Sequence, residues 1–273
     1  MQATSLSALD VRVVRDGHDP KPPEFFAAGV PEPELSRAFE GLVDERGDVV
    51  LPYNCLLVRV ASEVVLIDCG FGLYGPGAGR LERALAAEGV EPDDIDLVLL
   101  THAHPDHIGG LAVAGRPRFS GARHVITREE WEFWSSALAG GSLPPALATP
   151  LEEQLTPIEQ RGILELVATD AELLPGLRLV PAAGHTPGHV AVSIGFGDQT
   201  LLYLADTVIH PLHFEHLRWS TIGDHDVRSM AETRERLLGQ AADENLLVAA
   251  AHVWQPGRVS RSGAAFRFLP ASG

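Results

Sequence analysis

Apolar residues fall along this chain in short runs separated by Gly, Pro and charged residues. Leu51–Val60 and Glu63–Asp68 are rich in Val and Leu and are joined by a brief polar turn, the pattern of two paired strands. Ile95-Asp96-Leu97-Val98-Leu99-Leu100 reads as a short buried strand. Further strand patterns begin at Leu177 and cover Val190–Ile194, Thr200–Leu204 and Leu246–Ala251, which reads as the last strand. Two segments carry the helical period instead: Leu81–Glu88, with Gly89 as its stop, and the long amphipathic Asp226–Asn245. Thr127-Arg128-Glu129-Glu130 has capping-box spacing and opens another helix, which carries Trp131, Phe133 and Trp134. Leu138–Pro150, rich in Gly, Pro and Ala, reads as a loop or hinge. At the start, a strand over Leu9–Val14 leads into an irregular wrap through Asp19-Pro20-Lys21-Pro22-Pro23 and Pro31-Glu32-Pro33. Residues 1–273 are expected to form a single domain, with 1–45 as that strand and wrap. Strands followed by a helix, twice over, restrict the fold to α/β or α+β.

The polar residues that end the strand at Ile95–Leu100 change this picture. His102-Ala103-His104-Pro105-Asp106-His107 places three histidines and one aspartate within six residues. Neutral imidazole and carboxylate are the donors that suit zinc and similar divalent ions. Three imidazoles this close are costly to bury without such a partner.

His-x-His-x-Asp-His after a strand resembles the signature of the metallo-β-lactamase-fold hydrolases. The resemblance covers residues 48 to 257 and implies an α+β fold, an αββα sandwich of two mixed sheets flanked by helices. It also implies three further ligands, each found just past an apolar segment: His185 in Ala183-Gly184-His185-Thr186-Pro187-Gly188-His189, Asp206 after Leu202–Ala205, and His252 after Leu247–Ala251. By the family pattern His102, His104 and His185 hold one metal, Asp106, His107 and His252 hold a second, and Asp206 bridges both. The implied cofactors are two divalent ions, zinc first, with Fe, Mn or Co also suited to these donors. Two such ions about 3.5–4 Å apart acidify a shared water, and the resulting bridging hydroxide is the nucleophile. Asp106 is the implied catalytic residue, orienting that hydroxide or relaying its proton.

The stretch from Asp206 through His210-Pro211 to Trp219, with Ala231-Glu232-Thr233-Arg234 and the helix at Glu130–Trp134, is similar to a subgroup of organophosphate hydrolases like methyl parathion hydrolase and related lactonases. Acyl-homoserine lactonases of this fold commonly carry Tyr three residues after the bridging Asp, where this chain has Ile209; methyl parathion hydrolase-like members tend to have His there, and here His210 stands one place later. The expected activity is cleavage of a lactone or other carboxylic ester. The alternatives are an organophosphate triester hydrolase and a mono-iron persulfide dioxygenase-like oxidoreductase, which would leave His107 and His252 without a role. A non-catalytic binding module conflicts with a complete ligand set. Phe71, Trp134, His210, His213, Trp219 and Trp254 are candidate pocket residues, with a surface role for His210 and His213 the alternative. Asp68 is either a hydrogen-bonding support for a ligand or a plain strand-end turn. His189 reads as a loop anchor, and Thr186-Pro187-Gly188 as the turn that aims His185 inward. His18, His124 and His225 are expected to be structural or solvent-facing.

Gly70-Phe71-Gly72-Leu73-Tyr74-Gly75 matches the dinucleotide-binding pattern G-x-G-x-x-G after a strand. Gly75-Pro76-Gly77-Ala78-Gly79 then separates it from a helix that starts near Arg80, so helix N–H groups do not open within the motif. We read it as a flexible loop at the rim of the metal site, with Phe71 and Tyr74 as apolar wall.

A formal net charge of −16 argues against nucleic acid and against an anionic membrane as partners. No apolar run approaches the about 18 residues of a membrane span. The remaining partner is a small-molecule substrate; a homodimer is compatible with the chain. Two cysteines, Cys55 and Cys69, make no disulfide framework, and the N-terminus has no signal-peptide pattern, so a reducing cytoplasm is the expected compartment.

Overall fold

Alternation along the Val- and Leu-rich runs decides which way each side chain points, and so builds two layers from one strand. In Val49–Val60, Leu56 and Val58 face the space between two sheets, while Cys55 and Leu57 face a helix layer. A computed structural model of the chain describes residues 4–6, 10–60, 62–197 and 199–271.

The elements run β1 (Thr4–Leu6), β2 (Val11–Lys21), α1 (Pro23–Phe26), α2 (Glu32–Ala38), β3 (Val49–Val60), β4 (Glu63–Ile67), α3 (Leu81–Ala87), β5 (Leu97–Leu99), α4 (Pro105–Ile108), β6 (Ala112–Val113), β7 (Arg116–Pro117) and β8 (Arg123–Thr127). They continue with α5 (Arg128–Ala139), α6 (Pro145–Pro150), α7 (Thr156–Gln160), β9 (Leu164–Val167), β10 (Glu172–Leu174), β11 (Leu177–Pro181), β12 (Val190–Phe196), β13 (Gln199–Tyr203), α8 (Leu212–Glu215), α9 (Val227–Asp243), β14 (Leu247–Ala249), β15 (Gly257–Ser262) and β16 (Ala265–Pro270). One sheet has the order β1-β2-β3-β4-β5-β8-β9 and the other β10-β11-β12-β13-β14-β15-β16. Pairing is antiparallel except for β4-β5, β5-β8, β8-β9 and β13-β14, which are parallel. This is the α+β, αββα arrangement of two mixed sheets between helix layers.

Three packed layers hold it. Val11, Leu56, Ile67, Leu97 and Leu99 of one sheet meet Leu179, Val192, Leu201 and Tyr203 of the other. Leu66, Val98 and Ile126 pack on Leu85 of α3 and Trp134 of α5. Leu202 and Val248 pack on Leu237, Leu238 and Ala241 of α9. Each fully buried Leu or Val contributes about 1.5–3 kcal/mol of transfer free energy. Asp226 caps α9, its Oδ1 accepting from the N–H groups of Arg228 and Ser229, which is why that helix begins where the sequence pattern places it.

Several expectations need correction. The first strand runs on to Lys21, with a bulge: Arg15 pairs with Asn54 and Gly17 with Tyr53, leaving Asp16 without a partner. Leu9, the expected strand start, lies outside the described residues. The irregular wrap contains α1 and α2. Part of Leu138–Pro150 is helical because Pro145 sits at a helix N-terminus, where a missing N–H costs nothing. Leu246–Ala251 is not the last strand; β15 and β16 follow it. β8, β9 and β10 are further strands beyond those the apolar pattern predicts. Of the capping box only half forms: Thr127 Oγ1 accepts from the N–H of Glu130, whose carboxylate turns elsewhere. Cys55 and Cys69 are both free and buried. Among the described residues no helix is long and apolar enough to cross a membrane.

His124 on β8 is buried, with Nδ1 donating to the carbonyl of Ala122. Burial pushes its pKa down from 6.5 to about 4. The fold keeps this imidazole neutral while the unfolded chain protonates near pH 6.5. Its contribution is therefore full above that pH and is lost as pH falls toward 4. Between pH 7 and pH 5 wild type should lose about 2 kcal/mol that a His124→Phe variant does not. Denaturant midpoints of both proteins at the two pH values check this, and an unchanged gap refutes it.

Candidate metal centre

The loops that leave β5, β11, β13 and β14 converge at one end of the two sheets. His102, His104 and His107 follow β5, His185 follows β11, Asp206 follows β13 and His252 follows β14. One of these exits uses left-handed backbone at a non-glycine residue, Ala205 (φ 45°) before Asp206, and so does Asp68 (φ 63°) at the end of the neighbouring β4.

All seven candidate ligands meet there. His102 Nε2 lies 3.1 Å from His104 Nδ1, which lies 2.8 Å from His185 Nε2. The protons of His102 and His185 are committed elsewhere. His185 Nδ1 donates to Asp224 Oδ1 at 2.7 Å, and His102 Nδ1 donates to Thr101 Oγ1 at 3.1 Å, whose own hydroxyl donates to Asp68. In their neutral forms both rings therefore turn a lone pair to the same point, and His104 can place at most one proton between them. On the other side, His252 Nε2 lies 3.5 Å from Asp106 Oδ2, while His107 Nε2 and His252 Nε2 each lie 3.2 Å from Asp206 Oδ1. Asp206 Oδ2 faces the first group, 3.3 Å from His185 Nε2 and 3.9 Å from His102 Nε2. One carboxylate thus stands between two clusters, His102–His104–His185 and Asp106–His107–His252, each within the span of a metal's ligand shell.

The donor set fits two cations. His107 Nε2 and Asp206 Oδ1 are buried and neither has a hydrogen-bond partner of good geometry, although they are close. Buried polar atoms left unpaired are costly and point to an absent partner. Burial holds His102 and His104 well below the ordinary imidazole range, as does repulsion from neighbouring imidazoles, so both offer neutral nitrogen. Burial alone would lower His107, His185 and His252 too, but Asp206 with Asp68, Asp224 and Asp106 overturns it, raising His107 well above normal and His185 to about 9. Burial would raise Asp206, and His252 and His107 instead hold it well below the carboxylate range. Cations bound here compete with protons for the same atoms.

The supports explain the aim of each ring. Asp68 Oδ1 accepts from the N–H of Thr101, and Oδ2 accepts from His107 Nδ1 at 2.9 Å and from Tyr203; it is a ligand support rather than a plain turn. His252 Nδ1 donates to the carbonyl of Pro52. His189 Nδ1 donates to the carbonyl of Ala182, and its Nε2 accepts from the N–H of Asp206, so this expected loop anchor also fixes the bridging residue. Such partners orient ligands and raise their basicity. Asp224 had no signal in the sequence: it lies 39 residues from His185, in a polar loop.

A cavity of about 510 Å³ opens onto the cluster, reaching His104, Asp106, His185, Asp206 and His252. Of the candidate pocket residues, Phe71 and Trp134 line it. The other four do not. His213 is buried behind the wall, its Nε2 donating to the carbonyl of Phe26 and its Nδ1 accepting from the N–H of Ile209. His210 packs on the rings of Phe26 and Phe39, Trp219 stacks on His216, and Trp254 stands under the Arg15 guanidinium. The walls that sequence reasoning missed are Phe25, Tyr53, Phe133, Leu147, Ile209 and Ile222, with Lys21 and the exposed His225 at the margin. His225 was expected to be structural or solvent-facing only.

The glycine motif proves to be an internal anion nest. Asp16, expelled from the ladder by the bulge, accepts from the N–H groups of Phe71, Gly72 and Gly79 through Oδ2 and of Arg80 and Leu81 through Oδ1, all at 2.8–3.1 Å. The protein's own carboxylate takes the place a phosphate would have. Gly72 (φ 56°) also lies so close to Gly109 that a Cβ would stand 2.0 Å from its carbonyl oxygen. Phe71 reaches the cavity, but Tyr74 bonds to Glu153 and Gln154 on the far side of the loop.

A helix-flanked double sheet carrying a buried histidine and carboxylate cluster at its strand ends defines a metallo-hydrolase architecture. Residues 48–252 match the Metallo-beta-lactamase superfamily, and the chain belongs to that superfamily. Its fold is shared with a solved hydrolase of the beta lactamase superfamily, AbOPH (TM-score 0.90, 21% identity, 99% of this chain and 97% of that one). It is also similar to AidC, a dizinc quorum-quenching lactonase solved with a product (TM-score 0.86, 26% identity, 100% and 97%). An N-acyl homoserine lactonase of Bacillus thuringiensis is 26% identical over 53% of this chain and 58% of its own length. Other relatives bear unrelated activities in their names: a transcription termination factor of Cenarchaeum symbiosum and an anti-Pycsar protein of a Paenibacillus are each 28% identical, and the chain spans 27% and 61% of their lengths.

Proposed function

We propose that this protein is a dinuclear metal-dependent hydrolase of lactones or other carboxylic esters with an apolar body. One observation carries the reading: a cavity walled by Phe25, Phe71, Phe133, Trp134, Leu147 and Ile222 opens directly onto the ligand cluster. A neutral, apolar acyl group gains from that wall, whereas a polyanion meets few cations there and a chain of net charge −16. The similarity to AidC supports the same reading.

Bound at the two clusters, divalent ions supply Lewis-acid charge and a water acidified toward neutral pH. The chain does the rest. The apolar walls orient the acyl group and exclude water, which converts substrate binding into alignment. Asp106, with a side chain 20% exposed against 3% for Asp206, is the carboxylate ligand that faces the cavity most openly. Its Oδ2, beside His252, is placed to hold and pass on a proton.

The test is a panel of lactones, aryl esters, phosphotriesters and phosphomonoesters assayed with the zinc-loaded protein. The expected result is highest kcat/KM on a lactone or aryl ester and little turnover of phosphomonoesters. A preference for phosphomonoesters or nucleic acid overturns the proposal, and a preference for phosphotriesters moves the substrate to organophosphates.

A further inference from the structure

The mechanism leaves one buried carboxylate unused. Glu130, in the first turn of α5, is fully buried, and its four hydrogen bonds go to groups other than the seven ligand side chains. Its Oε1 accepts from the N–H of Ala103 at 3.0 Å and from Trp134 Nε1 at 2.6 Å. Its Oε2 accepts from Thr186 Oγ1 at 2.6 Å and from the N–H of Gly188 at 3.1 Å. Ala103 lies between His102 and His104, and Thr186 follows His185. One side chain therefore ties together the two loops that present all three imidazoles of the first cluster, and fastens to them the indole that walls the cavity. A second observation agrees. A Cβ on Gly188 would stand 2.1 Å from the backbone nitrogen of Glu130, and Thr127 Oγ1 donates to the Gly188 carbonyl at 2.8 Å. The loop after His185 is thus seated on the start of α5 through backbone contact as well.

We infer that Glu130 is a positioning residue for the first metal: it presets the spacing of His102, His104 and His185, so that the affinity of this half depends on a carboxylate that never touches the ion. The inference rests on the two-metal reading above. The second cluster is aimed by other groups, Asp68 and the Pro52 carbonyl, so the dependence is confined to one half. Removing an outer partner of this kind typically weakens metal binding about 10–100-fold.

Wild type, Glu130→Ala and Glu130→Gln, stripped with chelator, are titrated with Zn²⁺ against a competing indicator and with Co²⁺ by visible absorption. Wild type should take up two ions. In Glu130→Ala one of the two affinities should fall about 10–100-fold while the other stays within a few fold. Glu130→Gln should fall between, because its amide oxygen can still serve Ala103 and Trp134 while its NH₂ opposes the N–H of Gly188. If Glu130→Ala does not fold, Glu130→Gln decides. Repeating the titration in a His252→Ala background, which cripples the second cluster, should show the Glu130 effect on the affinity that remains. Both affinities retained, or both weakened equally as a general loosening would do, overturns the inference while leaving the two-metal reading in place. A wild type that binds no metal overturns that reading and the inference with it.

Discussion

Replacing Asp206 with Asn is expected to leave a folded protein that holds fewer than two metals and has lost at least about 100-fold in kcat/KM. The carboxylate uses both oxygens: Oδ2 faces His185 and His102, and Oδ1 faces His107 and His252 at 3.2 Å. An amide offers only one ligating oxygen, and its NH₂ would point at imidazole nitrogens or a cation on the other side. The substitution would also remove the negative charge that two cations bound at the clusters would share. Loss even of a group that merely supports a ligand costs about 10–100-fold, so loss of the shared ligand should exceed that range. Elemental analysis after dialysis, paired with kinetics on the best ester of the panel, measures both effects. An Asp206→Asn protein with two metals and near-wild-type kcat/KM would exclude the bridging role.

Asp16→Ala should be the most destabilising single change away from the cluster. Five backbone N–H groups converge on this one carboxylate, and only that of Arg80 has a second acceptor, the Asp16 carbonyl oxygen, which the substitution keeps. Each buried donor left unpaired costs about 1–3 kcal/mol. Even with water entering the gap, we expect a loss of about 4 kcal/mol or more, a large share of the about 5–15 kcal/mol that holds a typical protein folded. Phe71, fixed by the same contacts, should lose its place in the cavity wall, so KM should rise in any folded fraction. Urea unfolding of Asp16→Ala and wild type gives the number directly. A difference below about 1 kcal/mol would mean that the nest is not what holds the loop.

The cluster was legible because its signals are local. His102, His104, Asp106 and His107 sit within one loop, and His185, Asp206 and His252 each end a strand whose apolar pattern is plain. Its supports and walls were not, because they are made by chain that returns from elsewhere. Asp224 reaches His185 across 39 residues, and Lys21 and Phe25 enter the cavity from the N-terminal segment. Nearness along the chain misled in the opposite sense. His210 and His213 lie within seven residues of Asp206, yet the turn into α8 carries both behind the wall against Phe26. Prolines misled too: Pro145 looked like a loop and marks a helix start. Nothing local in the glycine motif announced that Asp16, more than fifty residues upstream, fills it.

The enclosure around the cluster has a separate origin from the cluster. Lys21 and Phe25 precede the stretch that matches the superfamily, Leu147 lies on a helical excursion between β8 and β9, and Ile222 lies in the connection to α9. None of these segments supplies a ligand, although the third carries Asp224, which aims His185; the ligand loops otherwise draw their rigidity from the sheets and from Asp68 and His189. Selection, in nature or in the laboratory, can therefore exchange the molecules this protein accepts by rewriting the wall positions of three segments, with the reactive machinery inherited unchanged as long as Asp224 is kept. A library confined to residues 21–25 and 143–147 with positions 222 and 225, leaving Gly223 and Asp224 as they are, samples new clientele at little risk to the chemistry.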